Sequence, residues 1–466
     1  MKKVIIIGSG IGGLVAGNLL AKKGHKVTIF ESHFMPGGYT SGFWRNGFYF
    51  NSGTVSFGGS HQFFKVLKDL DLDKKIECQR LKFRFLHKNL DCILDTYENF
   101  KNKLIDTYPQ EKDNLEIFFK ELDKIYYAFK SLLVGKSIFK KIWGAIKALF
   151  IFKKYANITI NEFIEKFFKK DSDLYYLFTN FGYPEMSAAY FGGALVCIFD
   201  DYWTIKNGFE FLANTLVDNF KQNGGELKLN SYVDKILTKD SAAVGVMSKN
   251  QKFDADVVIA ACDYKNTFLN LLDNKDLISQ DLLKKIEKAQ ISESFFTGYF
   301  GLSIPNDLLK KYLKCDWLNG EISIFSPSII NTKLAPENKS CLMVQELAPK
   351  DWKKDFIENN RESYLEFKEK IKNEFIEKAS KIIPDFKNSI KFVDIATPAT
   401  YQRYTHNTEG ASCSWSWNPK KKFYKKLMST NIETPVKNLY IGSCWANQVG
   451  GIPGALNAAY KCAKKI

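Results

Sequence analysis

Six residues near the start of the chain have the types and spacing of a dinucleotide-binding turn. Gly8-Ser9-Gly10-Ile11-Gly12-Gly13 fits G-x-G-x-x-G, directly after an apolar run at 4–7 and before a helical pattern. In this motif Gly8 permits a tight turn, Gly10 lets the backbone approach a pyrophosphate, and Gly13 lets the helix pack close to the strand. The free N–H groups and the dipole of the helix N-terminus then favour phosphate.

An acidic residue follows the second apolar run of the same unit. Glu31 comes directly after VTIF, and Ser32 comes next. Strand, glycine turn, helix and strand within about 30 residues form one βαβ unit with parallel pairing. The carboxylate of Glu31 is placed to accept hydrogen bonds from a ribose diol, and its charge would repel the 2′-phosphate of NADP.

Composition narrows the classes of partner. Lys and Arg outnumber Asp and Glu by 67 to 51, a formal charge of +16, which favours an anionic partner. We expect no nucleic-acid binding, since no helix-turn-helix, RNA-binding or zinc-finger pattern is present, and anionic membrane is the remaining candidate. The 39 Phe and 22 Tyr are suited to lining an apolar cavity for a lipophilic small molecule.

The positions of the cysteines and histidines argue against metal-dependent chemistry and structural disulfides. The nine cysteines are scattered singly and the five histidines are well separated, so we expect no metal site and no disulfide framework. No apolar stretch reaches the roughly 20 residues of a spanning helix. A cytoplasmic protein, peripheral at the inner face of the membrane, fits this pattern.

The secondary-structure pattern changes along the chain and returns to its starting type. Residues 61–204 are helical and aromatic, α/β character returns at 205–262, and strand-like runs at 292–350 precede a helix at about 360–382. We therefore expect an α/β fold with a discontinuous Rossmann-like domain from 1–60, 205–262 and 395–466. An α+β substrate domain then consists of a helical cap at 61–204 and a sheet part at 263–394.

Further glycine-rich segments exceed what one NAD site requires. One begins at Pro36 and provides Gly37, Gly38, Tyr39 and Ser41. Another closes the chain: Gly442 and Ser443 end a strand, and a glycine turn opens a helix with Gly451, Ile452, Pro453 and Ala455. The N–H groups of that helix could donate to a carbonyl of a bound ring.

At these residues the sequence resembles the FAD-dependent phytoene desaturases, carotenoid isomerases and retinol saturases, within the amine-oxidase-like flavoprotein superfamily. The resemblance includes 208–262, where Val233 would contact the adenine side, and the TPATYQRYT segment at 397–405. It implies FAD as cofactor, held by the glycine-rich segments, Glu31 and the C-terminal helix. One departure is Ser443, where many flavoproteins have Asp.

The resemblance implies hydride transfer between flavin N5 and a carbon of a conjugated or isoprenoid chain, giving desaturation or saturation, with cis–trans isomerisation as a close relative. In this class the cofactor carries the hard step, and no acid–base residue can be assigned. His406, Arg403 and Glu409 are the candidates near the suspected site, with capping or salt-bridge roles as the alternative. Two other functions remain: an amine oxidase of the same superfamily, and a prenyl-lipid carrier similar to the Rab GDP-dissociation inhibitors.

A lysine-rich aromatic segment predicts a membrane contact. Residues 124–161 have eight lysines and no acid. On a helix, Lys136, Lys140, Lys147 and Lys154 form one stripe, with Ile138, Ile142, Ile146 and Leu149 opposite and Trp143 at the border. This pattern is typical of a helix lying in an anionic membrane surface, and a cap helix packed on the cavity is the alternative.

Overall fold

The computed structural model describes residues 1–133, 138–427 and 429–466, and it has the mixed α/β architecture expected from the sequence. Its strands, in chain order, are β1 (Lys3–Ile7), β2 (Lys26–Phe30), β3 (Gly42–Arg45), β4 (Phe48–Asn51), β5 (Cys78–Arg80), β6 (Phe83–His87), β7 (Leu90–Leu94), β8 (Trp203–Ile205), β9 (Glu226–Lys228), β10 (Lys235–Lys239), β11 (Ala242–Ser248), β12 (Gln251–Asp254), β13 (Val257–Ala260), β14 (Phe295–Leu302), β15 (Trp317–Asn319), β16 (Ser323–Phe325), β17 (Ser340–Leu347), β18 (Ile390–Ala396) and β19 (Leu439–Ile441).

Helices lie between groups of these strands, and six of them, α3 to α8, follow one another between β7 and β8. In chain order they are α1 (Ile11–Lys22), α2 (Ser60–Asp69), α3 (Tyr97–Thr107), α4 (Lys112–Leu133), α5 (Ile138–Tyr155), α6 (Ile160–Ile164), α7 (Asp173–Thr179), α8 (Ala188–Asp200), α9 (Phe209–Gln222), α10 (Tyr264–Asn266), α11 (Gln280–Lys288), α12 (Asn306–Leu313), α13 (Pro327–Ile330), α14 (Arg361–Ser380), α15 (Phe386–Ser389), α16 (Pro398–Thr405) and α17 (Gly451–Lys465). Within the described ranges, none of them is long and apolar enough to cross a bilayer.

A parallel five-stranded sheet unites three distant parts of the sequence. Its order is β19-β13-β1-β2-β9, and every neighbouring pair is parallel. Because β1 and β13 are buried on both faces, they read as continuous aliphatic runs, VIII and VVIA. Helix α1 packs against both α9 and α17, so the C-terminal helix covers the first βαβ unit.

A second sheet has seven strands, in the order β18-β14-β17-β16-β15-β6-β7. Side chains of β14 alternate between its two faces. Phe295 and Tyr299 pack with the aromatic core of the cap, whereas Phe296 and Phe300 pack with α14 and its neighbours. The sheet therefore lies between the aromatic core formed by α3 to α8 and helix α14.

The segment expected to be helical, 61–204, also contains strands β5 to β8. Strands β6 and β7 pair as an antiparallel hairpin and β6 pairs with β15, so this hairpin extends the seven-stranded sheet. The second strand, LDCIL, alternates between buried and exposed positions, whereas the first three residues of β6 are all buried. Its aromatic content resembles that of the neighbouring helices, and this similarity hides the period of two.

Candidate functional site

The carboxyl ends of four parallel strands meet at one edge of the five-stranded sheet. Strands β1, β2, β13 and β19 run in the same direction, so the residues that follow them lie side by side. Gly8, Glu31, Cys262 and Ser443 follow these strands and line one cavity of about 560 Å³. The edge where α/β sheets bind their ligands is therefore open in this chain.

Gly10 leaves open space at the wall of this cavity. Its φ of −60° suits any residue, and a Cβ built on it would have no protein atom within 4 Å. By contrast, a Cβ on Gly12 would collide with the carbonyl of Gly442, and one on Gly13 with the carbonyl of Gly8. Gly10 thus leaves room for a ligand at the N-terminus of α1, while the other two glycines allow backbone packing.

Glu31 lies at the same edge with its carboxylate held in place. One oxygen accepts from the Ser9 backbone N–H at 2.8 Å and from the Ser9 hydroxyl at 2.7 Å. The other accepts from the His33 N–H at 2.9 Å and from the Ser32 hydroxyl at 3.2 Å. The two hydroxyl groups can rotate to other acceptors, which leaves acceptor capacity for a diol.

The second glycine loop lies against the first. The N–H of Gly37 donates to the Ser9 carbonyl at 2.9 Å, and Gly37 and Gly38 have φ values of 109° and 57°. Of the loop, Gly37, Gly38, Tyr39 and Ser41 line the cavity. The Ser41 hydroxyl is buried and has no hydrogen-bond partner in the described part of the protein. A ligand oxygen would satisfy it.

The C-terminal motif forms a further part of the cavity wall, next to the first glycine turn. Helix α17 begins at Gly451, and Ser443, Gly451, Ile452 and Ala455 line the wall. The Ser443 hydroxyl donates to the Cys262 carbonyl at 2.9 Å, so it holds two strand ends together. Pro453 lies outside the cavity, and its ring is next to Gly59.

Most of the cofactor-binding residues expected from the sequence come together in this cavity. The residues that line it are Gly8, Gly10, Ile11, Gly12, Glu31, Ser32, Gly37, Gly38, Tyr39, Ser41, Val233, Ser443, Gly451, Ile452 and Ala455. The others, Ser9, Gly13, Gly442 and Pro453, lie behind this wall and support it.

An aromatic wall that the sequence pattern does not reveal continues the cavity beyond the glycine loops. Tyr299 of β14 and Tyr401 of α16 line it together with Tyr39, whose ring centroid is 5.3 Å from that of Tyr401. The Tyr401 hydroxyl is 2.6 Å from the Thr297 hydroxyl, and Tyr299 donates to the Ser52 carbonyl at 2.7 Å. Alternation along β14 is the sequence signal that could have found Thr297 and Tyr299.

Two of the three acid–base candidates line the cavity, and the third does not. Arg403 and His406 line the cavity, and the His406 ring is 5.1 Å from that of Tyr232, next to Val233 and therefore on the expected adenine side. The Glu409 carboxylate is largely exposed, 4.0 Å from the Lys353 ammonium, and does not line the cavity. A cofactor-binding or surface role fits these positions better than proton transfer.

The thiols near the site are poor nucleophiles. Burial raises the pKa of both Cys262 and Cys444 to about 12, so they are protonated at neutral pH. This disfavours covalent attachment of a cofactor to Cys444. Among the described residues no group of His, Cys, Asp and Glu has the geometry of a metal site.

The residues present fit FAD. The space beside Gly10 at the helix N-terminus suits a pyrophosphate, the unpartnered Ser41 hydroxyl needs an acceptor, and the Glu31 carboxylate suits a ribose. The C-terminal helix begins in the wall of the same cavity, where its free N–H groups suit a polar ring edge.

Comparisons with known proteins agree with this geometry. The sequence model of the family described as flavin containing amine oxidoreductase matches residues 11–466. The chain is 27% identical to prolycopene isomerase 2, chloroplastic, of an Oncidium hybrid cultivar, over 99% of this chain and 83% of that protein. It is 25% identical to all-trans-retinol 13,14-reductase of Danio rerio, over 99% and 85% of the two chains. The crystal structure of an oxidoreductase from Methanosarcina mazei matches the fold with a TM-score of 0.69 at 16% identity, over 99% of this chain and 100% of that one.

Proposed function

The chain belongs to the family of flavin-containing amine oxidoreductases, and from this premise we propose that it is an FAD-dependent oxidoreductase of polyene or isoprenoid lipids. The reaction is a desaturation, a saturation or a cis–trans isomerisation. The relatives named prolycopene isomerase and all-trans-retinol 13,14-reductase support this substrate class.

The observation that carries the proposal is the continuity of one cavity from the glycine loops to the aromatic wall. Tyr39, Tyr299 and Tyr401 lie in that wall, and burial raises the pKa of all three phenols, so they remain neutral. A long apolar chain that enters this space contacts aromatic faces and uncharged hydroxyls. The geometry therefore favours a lipophilic substrate.

FAD, when bound, supplies the redox chemistry of this family. The chain's own residues would hold the cofactor, orient the substrate and exclude water from the site. Gly10 and the N-terminus of α1 would hold the pyrophosphate, and Glu31 the adenosine ribose. The Tyr401 hydroxyl bonds to the Thr297 hydroxyl, and the Tyr299 hydroxyl donates to the Ser52 carbonyl, so both rings are held in place to position an apolar chain.

The proposal is tested with the holoprotein and three polyenes: a poly-cis carotene, an all-trans carotene precursor and all-trans-retinol. We expect the absorption spectrum of at least one polyene to change, with a product of altered bond geometry or number identified by chromatography and mass spectrometry. Benzylamine and putrescine serve as controls and should leave the flavin oxidised. Flavin reduction by the amines with every polyene unchanged would overturn the proposal.

An amine oxidase is the second candidate, since the facing rings of Tyr39 and Tyr401 could flank an amine. The charges in the cavity wall oppose it. Arg45, Lys368 and Arg403 outnumber the acidic residues Glu31 and Asp394, and Asp394 is paired with Lys368 at 3.1 Å. An ammonium substrate would therefore meet no unpaired carboxylate among the described residues that line this cavity.

Replacing Glu31 with Gln is expected to weaken FAD binding by about 1 to 2 kcal/mol, the range for hydrogen bonds to charged groups. The amide keeps the size of the side chain but loses the charge that a ribose diol would meet. FAD affinity is measured by titration of the apoprotein. Glu226→Gln is the matched control, because Glu226 is exposed at the edge of the same sheet. Equal affinity of the Glu31 variant and the parent would place the ribose contact elsewhere.

A membrane contact through α5 is part of the proposed function. The helix directs its small residues, Gly144 and Ala148, inward and exposes a face of large apolar side chains. The exposed fractions are 53% for Ile142, 64% for Trp143, 44% for Ile146, 71% for Leu149 and 68% for Phe150. A helix that packs its isoleucines on the cavity would bury them, so this exposure favours the membrane interpretation.

Lysines accompany this apolar face. Lys147, Lys153 and Lys154 are exposed on α5, and Lys154 is 3.5 Å from Glu121. Of the stripe expected from the sequence, Lys136 lies outside the described residues, as do the side chains of Ile138 and Lys140. Each lysine near an anionic surface contributes about 1 kcal/mol to binding, in addition to the inserted apolar residues.

We expect the combined change Trp143→Ser, Leu149→Ser and Phe150→Ser to reduce binding to vesicles containing phosphatidylserine by at least about tenfold, since each large apolar residue buried contributes about 1.5 kcal/mol or more. Binding is measured by vesicle flotation. The control is Ile357→Ser with Leu365→Ser, because these residues are 65% and 49% exposed outside α5. Flotation of the α5 variant equal to that of the parent would show that the face does not insert.

A further inference from the structure

Three charged side chains line the cavity next to its aromatic wall. This charged rim consists of Arg45 of β3, Lys368 of α14 and Asp394 of β18. Arg45 and Asp394 are exposed and Lys368 is half-buried, so the cavity meets solvent at these residues. The charges of the rim therefore remain accessible to a ligand that enters the cavity.

Strand pairing places the rim beside Tyr299. Asp394 is the register partner of Tyr299 in the antiparallel pair of β14 and β18, so their side chains share one face of the sheet. The Tyr299 ring also packs edge to face with that of Phe43, with centroids 5.0 Å apart. Arg45 follows Phe43 by two residues in β3, and its guanidinium lies 5.3 Å from the centre of the Phe43 ring. The aromatic wall and the charged rim are thus contiguous.

The two cations of the rim keep hydrogen-bonding capacity. Among the residues that the structure describes, the Arg45 guanidinium has no ion-pair partner, and one of its N–H groups donates to the Trp44 carbonyl at 2.8 Å. Its other N–H groups form a planar fork that fits a carboxylate or a phosphate. One N–H of the Lys368 ammonium donates to Asp394 at 3.1 Å, and the others are open to a ligand.

The formal charge of the rim suits a ligand with a single negative charge. Arg45 and Lys368 contribute two positive charges and Asp394 contributes one negative charge, which leaves one positive charge. Arg45 carries it, because Asp394 is paired with Lys368 at 3.1 Å. A carboxylate would balance this charge, whereas the second charge of a phosphate would be repelled by Asp394 without a further cation to offset it.

We propose that the charged rim binds a carboxylate at the end of the lipophilic substrate, with the Arg45 guanidinium as its main partner. The inference rests on the proposed function and narrows its substrate class to polyene or isoprenoid acids. The carboxylate would accept from the Arg45 fork and from an open N–H of Lys368, while the apolar chain lies against Phe43 and Tyr299. Because the rim is accessible to water, the carboxylate escapes most of the desolvation cost of a buried ion.

The test measures binding of three C20 polyene probes with the same chain, an acid, an alcohol and an amine, to the holoprotein by quenching of tryptophan fluorescence. At low ionic strength we expect the acid to bind about tenfold more tightly than the alcohol, in the range for hydrogen bonds to charged groups. In Arg45→Leu this ratio should fall below about twofold, and Arg45→Lys, which keeps the charge but loses the fork, should be intermediate. High ionic strength should lower the ratio in the parent protein.

Two further variants serve as comparisons. Asp394→Asn releases Lys368 from its ion pair and removes the negative charge of the rim, so the preference for the acid should increase by about threefold, as for an exposed charge pair. Arg361→Leu is the matched control, because Arg361 is an exposed arginine in the first turn of α14 that does not line the cavity. It should leave the ratio unchanged. Flavin content and thermal stability verify that each variant is folded.

The results separate this inference from the proposed function. Equal binding of acid and alcohol by the parent protein overturns the inference and leaves the proposed function intact, as does tighter binding of the amine than of the acid. A preference for the acid that persists in folded Arg45→Leu also overturns it. Loss of flavin from that folded variant would assign Arg45 to the cofactor and has the same consequence. If none of the three probes binds, the proposed function itself fails.

Discussion

Replacing Gly10 with Leu is expected to give a folded but colourless protein. The backbone at this position suits any residue and no protein atom lies within 4 Å of a Cβ there, so the fold tolerates the side chain. That side chain would instead fill the space beside the N-terminus of α1, where the pyrophosphate of FAD fits. We expect FAD affinity to fall by about 100-fold or more, near the upper end of the cost of overpacking.

The measurement is the ratio of flavin absorbance to protein absorbance, together with circular dichroism and thermal unfolding. Gly10→Ala provides an intermediate step with a smaller loss of flavin. Gly13→Leu is the contrasting variant: its side chain would collide with the Gly8 carbonyl, so it should lose the fold as well as the flavin. Full flavin content in Gly10→Leu would show that the cofactor does not approach this turn.

Replacing Asp263 with Ala is expected to lower the free energy of unfolding by about 2 to 4 kcal/mol, since each buried donor left unsatisfied costs about 1 to 3 kcal/mol. This buried carboxylate accepts from the Asn266 N–H at 2.7 Å, as the N-cap of α10. Its other oxygen accepts from the Thr408 N–H at 2.8 Å. The second bond ties the loop after α16 to the end of β13, so its loss should also weaken FAD binding.

Denaturant unfolding of the holoprotein measures the effect. Asp263→Asn, with one acceptor oxygen in place of two, should be intermediate. Asp256→Ala is the control for a surface carboxylate, because Asp256 accepts from the Lys3 N–H in an exposed bond of 2.7 Å. It should change the free energy of unfolding by less than about 1 kcal/mol. A similar decrease in the free energy of unfolding for the Asp256 and Asp263 variants would contradict a special role for the buried Asp263 carboxylate.

The residues that surround the cofactor could be predicted from the sequence, because the motifs that identify them are local. The turn at Gly8 to Gly13 and the carboxylate of Glu31 lie in one βαβ unit, where spacing alone determines which atoms meet. The family resemblance and the α/β fold class are confirmed by the match over residues 11–466 and by the parallel sheet. The domain boundaries and the individual FAD contacts stay predictions.

The aromatic wall could not be predicted in the same way, because its residues come together only through contacts between distant parts of the chain. Tyr39 and Tyr401 lie in segments singled out from the sequence, the second glycine loop and TPATYQRYT, but nothing in those segments indicates that they form an aromatic wall with Tyr299 of β14.

The strand order of the parallel sheet also determines when the protein can acquire its cofactor during synthesis. β1 is made first, but its neighbour β13 and the edge strand β19 follow more than 250 and 430 residues later. At a ribosome speed of roughly 5 to 20 residues per second, the first βαβ unit waits roughly 20 to 90 s for its last partner. The nascent chain therefore exposes an aliphatic strand over this time, and we expect cofactor uptake to be a late event that follows the synthesis of β19.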